Sequence, residues 1–377
     1  MLELPLREGR DALNGLVSIT IATPVLVVKP RPGYNGHVPN ILDVAKRAGV
    51  SPTTAKRAIQ EPRLLRPATL ARVQRAIEEL GYEPDQLAGS LRRGRPRTVG
   101  LMVGNIIEPF FAALIRTVAH EVRARGYALM VADSEYDSGL ELENLRMFSG
   151  QRVSGLLLRS AFGSPNLEYL KQMQKRGTYI LQIDHFYPGS PFGYVMLDAQ
   201  GCVFEGVRYL RDLGHCRIAS LGAYHPTLTP DERSRVFPLA LNAVGLSPNP
   251  TYQRAIPRSE EAAYALTLEL LRLDEPPTAL FSLTGTEAAG AFRAVRELGL
   301  RIPEDVSLLT FDNYSWTSLV TPPLDVIEQP VETMGRAAAR VVLAAVEEGP
   351  PPEPVRLLFP GRLIKRGSCA PPRGVWS

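Results

Sequence analysis

The chain is poor in cysteine, histidine and tryptophan, with 3, 5 and 2 of them in 377 residues. Cys202, Cys216 and Cys369 are too few and too scattered for a disulfide scaffold, and neither they nor the histidines show metal-ligand spacing. No GxGxxG and no GxxxxGK[ST] occurs, so the usual phosphate-cradling loops are missing. That argues against an enzyme acting on a nucleotide, and no cofactor is expected. Runs of about 18 uncharged apolar residues, enough for a membrane span, are absent as well. Gly15 to Val28 is fairly apolar, but Thr20, Thr23 and Pro24 interrupt it and no small-residue cleavage site follows. The expectation is a cytoplasmic protein rather than an exported ligand carrier, with two or three domains at this length.

Charge is present but unevenly placed. Residues 40 to 97 hold 12 Lys plus Arg against 6 Asp plus Glu, while the whole chain carries only +4. Such a segment suits a polyanion, joined to a body that does not.

Within it, NILDVAKRAGVSPTTAKRAIQ (40–60) spells two helices around one glycine. Asn40 is an N-cap for an apolar stripe of Ile41, Leu42, Val44, Ala45 and Ala48, and Gly49 is a left-handed stop. Ser51 and Pro52 open a second helix at once. Ala55, Ala58 and Ile59 turn inward there, leaving Thr53, Thr54, Lys56, Arg57 and Gln60 outward. Two helices joined by so short a turn make a helix-turn-helix, whose second helix fits a major groove. These residues alone also fit an ordinary helical hairpin with a solvated face. A third helix runs from Pro67 with Leu70, Val73, Ile77 and Leu80 on one stripe and Gly81 as its stop.

Residues 1–39, rich in proline near their end, read as a poorly ordered arm or as upstream sequence from a start codon placed too early. Residues 84–97 read as a basic linker. Pro84 can open a short helix there, too short to be stable alone, that folds on DNA as Arg92 and its neighbours meet phosphate and Leu91 wedges into the minor groove.

From residue 98, apolar strands (TVGLMVG, YALMVAD, VSGLLLRS, TYILQID, YVMLD, RIASLG, TALFSLT, VSLLTFD) alternate with helical stretches. This predicts two doubly wound parallel sheets with a ligand crevice at the strand ends. Polar residues end several strands: Asp133, Ser160, Asp184, Asp198 and Asp312. Each alone is a plausible helix cap; together they suit a hydroxyl-rich or amine-bearing small molecule, with PFF at 109–111 as an apolar wall.

The order and spacing of DVAKRAGVS, T-x-x-R at 54–57, EELGYEP, LAGSLRRGRPRTVGLMV, PFF, LGH, IPEDVSLLTFDN and TPPLDVIEQP closely resemble the LacI/GalR family of bacterial transcription regulators over about residues 40–366. The resemblance implies an all-α helix-turn-helix headpiece (40–83), a hinge (84–97) and an α/β core like a periplasmic binding protein (98–366), its chain crossing three times between two doubly wound parallel-sheet subdomains, then a tail (367–377). It implies a homodimer on a pseudo-palindromic DNA operator, most simply a repressor, controlled by a small-molecule effector such as a sugar or other polar metabolite.

The implied DNA-binding set is Ser51, Thr53, Thr54, Lys56, Arg57, Gln60, Leu91 and Arg92. The implied effector set is Phe110, Asp133, Ser160, Asp184, Asp198, Arg233, Thr284 and Asp312. Lys56, Gln60 and Gly89 depart from the family's usual Ser, Asn and larger hinge residue. Thr284 and Gly285 replace an Asn-Asp pair, and Val236 replaces a glycine, which removes sugar-type partners from the cleft.

Overall fold

The computed structural model describes residues 39–82, 97–161, 163, 165–186, 189–223 and 232–373. The expected hinge residues Gly89, Leu91 and Arg92 lie outside them, as does the side chain of Gln60. The described residues fall into two compact units, one within 1–86 and one within 87–377.

The first unit is three helices. In α1 (Ile41–Ala48) the Asn40 side chain accepts from Leu42 N, and Asp43 accepts from Asn40 N, closing a capping box. Gly49 ends it at φ 62°, the left-handed cap that glycine adopts without strain. Ser51 caps α2 (Pro52–Gln60) by accepting from Thr54 N at 3.1 Å. α3 (Pro67–Leu80) stops at Gly81, φ 59°. Val44, Ala45, Ala48, Ala55, Ala58, Val73 and Ala76 are buried between the three, so small side chains let the helices approach closely. An exposed Arg47–Glu79 pair ties α1 to α3.

The second unit holds two six-stranded sheets. Sheet one contains β1 (Thr98–Val103), β2 (Ala128–Asp133), β3 (Gly155–Leu158), β4 (Tyr179–Ile183), β5 (Gly193–Leu197) and β11 (Arg356–Phe359), in the order β11-β5-β4-β3-β1-β2. Its helices are α4 (Pro109–Ala124), α5 (Ser138–Gly150), α6 (Leu167–Lys175) and α11 (Val331–Glu348). Sheet two contains β6 (Ile218–Ala223), β7 (Gln253–Ile256), β8 (Ala279–Ser282), β9 (Ser307–Phe311), β10 (Asp325–Glu328) and β12 (Arg362–Ile364), in the order β12-β10-β9-β8-β6-β7. Its helices are α7 (Ala199–Asp212), α8 (Glu232–Ala243), α9 (Glu260–Leu271) and α10 (Gly285–Glu297). Every pairing is parallel except β10 with β12.

Parallel sheets need cover on both faces, and the residues divide accordingly. Val99, Leu101 and Val103 of β1 join Phe111 and Leu114 of α4 and Met334 of α11 in one cluster; Met102 faces the opposite layer with Leu145 and Phe148 of α5. The alanine-rich α11 packs on α4 at short range, where a Cβ added to Gly335 would lie 3.1 Å from Thr117. The chain passes from sheet one to sheet two after β5, back after β10 and over again between β11 and β12. The last crossing is tight: a Cβ on Gly361 would stand 2.6 Å from Cys202 Sγ.

Candidate nucleic-acid interface and ligand cleft

Thr53 and Arg57 of α2 are exposed, Thr54 and Lys56 half-buried, and Ala55 and Ala58 buried, so one face of the helix is polar and basic. Ser51 is engaged at the helix start, its Oγ 2.8 Å from Thr54 Oγ1. That fixes α2's N-terminus, where free N–H groups and the helix dipole favour phosphate. Arg47 is taken up by Glu79, but neither Lys56 nor Arg57 has an acidic partner among the described residues.

Both sheets of the core have the doubly wound order in which the chain reverses beside β1 and beside β6, and ligands bind such sheets at the carboxyl ends of the strands. A cleft with about 620 Å³ of empty space, open solvent at its mouth included, lies at those ends. Sheet one contributes Glu108 and Phe110 after β1, Tyr136 after β2, Arg159 after β3 and Asp184 after β4. Sheet two contributes Glu232 and Arg233 at the start of α8, Arg258 after β7, Thr284 after β8, Asp312 and Tyr314 after β9, and Gln329 after β10.

The charged side chains hold one another. Glu108 accepts from the Tyr136 hydroxyl at 2.7 Å and sits 3.9 Å from Arg258. Burial pushes the Glu108 carboxyl above its usual range, an effect that Arg258 and Tyr136 oppose. The Tyr136 ring has the Arg159 guanidinium 4.6 Å and the Arg258 guanidinium 5.2 Å from its centre, and burial raises its phenol as well. Buried Arg159 donates to Ser160 O at 2.7 Å and reaches Asp184 at 3.4 Å. Asp312 accepts from Gly285 N at 3.0 Å and from Gln329 Nε2 at 2.6 Å. Arg233 donates to Leu283 O at 2.7 Å and lies over Phe311. Two buried polar atoms in this wall have no hydrogen-bond partner, Thr284 Oγ1 and Gln329 Oε1. Such atoms cost free energy until something supplies the missing bond.

Of the effector set read from sequence, the fold brings together Phe110, Asp184, Arg233, Thr284 and Asp312. The other three are not among the lining residues. Asp133 accepts from Ile106 N and Glu135 N and shapes its own loop. Ser160, fully buried, donates to Gln182. Asp198 caps α7 by accepting from Gly201 N. Their short side chains are used by local backbone and core groups, and of the three only Asp198 takes the helix-cap alternative that a strand-end aspartate carries. Sequence reasoning missed Glu108, Tyr136, Arg159, Glu232, Arg258, Tyr314 and Gln329. Five of them stand within three residues of a position already noted, so a wider window at those positions finds them.

A model for bacterial regulatory proteins of the lacI family matches residues 40–85, and one for a periplasmic binding protein-like domain matches 207–369. The HTH-type transcriptional repressor PurR of Aliivibrio fischeri (strain MJ11) is 32% identical over 311 residues, 82% of this chain and 92% of that one. The chain belongs to the LacI family. Another relative, the HTH-type transcriptional repressor CytR of Escherichia coli (strain K12), is 30% identical over 304 residues, covering 80% of this chain and 88% of its own. Among solved structures, the transcriptional regulator CelR–cellobiose complex matches with a TM-score of 0.65 at 29% identity, over 88% of this chain and 99% of that one. The Lac repressor dimer bound to operator and the anti-inducer ONPF matches with a TM-score of 0.79 at 22% identity, over 89% of this chain and 100% of that chain, which speaks for the fold. As a LacI-family member the protein is a DNA-binding transcriptional regulator with an effector-binding core. Among the described residues no helix is long and apolar enough to cross a membrane.

Proposed function

We propose that the protein is a repressor working in the cytoplasm, in which α2 reads an operator and a polar metabolite in the cleft sets DNA affinity. The carrying observation is the pairing of an unpartnered basic α2 face with a cleft whose walls come from both subdomains. Thr53, Thr54, Lys56 and Arg57 lie on the face that meets a major groove, and Leu91 and Arg92 are the hinge residues that follow the minor groove and backbone. Two copies on a pseudo-palindrome double the footprint and exclude random sites. A ligand touching both walls can favour one subdomain arrangement only through unequal affinity for two. The acceptor-rich cleft fits a hydroxyl- or amine-bearing metabolite, and the similar regulator CelR is solved as a cellobiose complex. The test begins with duplexes selected from a random pool by the purified protein. Arg57→Ala is expected to cost about 1–3 kcal/mol per half-site on the selected duplex, with ligand binding unchanged. Equal affinity of variant and parent in a gel-shift titration refutes the assignment.

A further inference from the structure

Three helices of the core are capped by the side chain at their start. Asp137, Asp198 and Ser259 each accept from the backbone N–H three residues on, opening α5, α7 and α9. Thr284 stands in the same place before α10, but its Oγ1 caps nothing and has no hydrogen bond, although the residue is only 3% exposed. Asp312, arriving from the end of β9, has taken that role and accepts from Gly285 N at 3.0 Å. The backbone of Thr284 is held as well, its carbonyl accepting from Ser282 Oγ at 2.8 Å.

The other Asp312 oxygen fixes Gln329. A carboxylate offers lone pairs and no proton, so the amide atom 2.6 Å from Asp312 Oδ1 is Nε2, and Oε1 is turned away from it. Gln329 lines the cleft at 7% exposed, and its Oε1 has no hydrogen bond. One carboxylate therefore orients Gln329 and spares Thr284 its capping duty, leaving each with an open polar atom. The two atoms are not equivalent. A hydroxyl rotates to donate or accept, whereas an amide oxygen whose nitrogen is tied down can only accept. A buried acceptor left unpaired costs free energy, which a ligand recovers only by bringing a proton to it.

We infer that Gln329 Oε1 is the specificity-determining atom of the cleft: the effector must carry an O–H or N–H donor at that point, and a group that only accepts, such as an ether, ester or ketone oxygen, is rejected there. Asp312 is the positioning residue that enforces this, while Thr284 tolerates either kind of group. The inference rests on reading the cleft as the effector site and adds what that site demands of its ligand.

The test uses the purified full chain and a panel of sugars, polyols and nucleosides screened by thermal shift. In a compound that binds, each hydroxyl is replaced in turn by fluorine and each N–H by N–CH3, so that one proton is lost at a time. Calorimetry is expected to find a position where this loss weakens binding at least about tenfold, as a site built around a hydrogen bond rejects the analogue lacking it. In Gln329→Met that position no longer matters, the original compound and its analogue binding within about twofold of each other. Asp312→Asn supplies a readout that a merely structural role would not move. Its side-chain oxygen stays with Gly285 N, its amide turns Gln329 around, and Nε2 faces the cleft, so the preference falls to within about threefold whatever happens to overall affinity. A parent that binds every analogue as tightly as the original compound, or a preference that survives undiminished in Gln329→Met or Asp312→Asn, overturns the inference; the cleft reading survives if Thr284→Val still weakens the original compound. A panel in which nothing binds overturns both.

Discussion

His215 lies at the turn after α7, 1% exposed, with Nδ1 2.8 Å from Thr278 Oγ1 and Nε2 3.1 Å from Ser307 Oγ. Burial pulls its imidazole down from 6.5 to about 4, partly opposed by its contact with the Ala370 backbone. The folded state therefore favours the neutral ring. Its contribution is fully present above the unfolded value of 6.5 and is lost as pH falls toward about 4. That gap, at 1.36 kcal/mol per pH unit, is worth at most about 3 kcal/mol, of which about 2 kcal/mol is gone at about pH 5. Carboxylates titrate in the same range, so the measurement compares the parent with His215→Gln. The variant is less stable at about pH 8, having lost two side-chain contacts. Between about pH 8 and 5, however, its core loses about 2 kcal/mol less than the parent, a difference of about 4–8 °C in midpoint for a domain of this size. Parallel stability curves for the two proteins across that range refute the idea of a buried neutral imidazole.

Gly290 sits where α10 crosses α9, and an added Cβ would lie 2.1 Å from Glu260 O, a backbone atom that cannot swing aside. Gly290→Ala is expected to cost about 1–3 kcal/mol, read as a lower unfolding midpoint, and a neutral result would show that the two helices slide freely. Thr284→Val removes a buried hydroxyl that has no partner in the free protein. The free variant should be as stable as the parent or slightly more so, while ligand affinity falls by about 1–3 kcal/mol in calorimetry; stability that drops without any change in affinity counts against Thr284 as a ligand contact.

The headpiece was legible almost residue by residue because caps are local chemistry. Asn40 and Ser51 by their side-chain oxygens, Pro67 by its ring and Gly49 and Gly81 by their left-handed backbones all bound helices. The alternation of apolar strands and helices likewise announced two parallel sheets. What escaped was structure set by distant contacts. The helix α11 carries Gly335 and a run of alanines that make sense only against α4. The edge strand β7 has four residues, too short for periodicity, and with it went Arg258. Asp133 and Asp198 have the same strand-end signature as Asp184 and Asp312; which of them faces the cleft depends on where the next loop turns.

The two halves share a strand order, so β3 corresponds to β8 and β4 to β9. Corresponding residues then stand at matching strand ends. Asp184 after β4 and Asp312 after β9 both take the left-handed conformation, φ 65° and 72°, which aspartate tolerates better than most residues. Ser160 and Thr284 each stand two residues beyond the ends of β3 and β8. The halves differ in satisfaction. In sheet one Ser160 bonds Gln182 and Asp184 is within reach of Arg159; in sheet two Asp312 anchors Gln329 by its amide nitrogen, leaving Gln329 Oε1 and Thr284 Oγ1 open. Hydrogen-bond affinity for a ligand is thus concentrated on the second half, while the first offers the aromatic wall of Phe110 and Tyr136 and the far end of the Arg258 contact. A ligand held by the second half alone gains affinity without preferring either subdomain arrangement. It must also engage the first half before binding changes what the headpieces do, since a ligand equally bound to two states shifts neither.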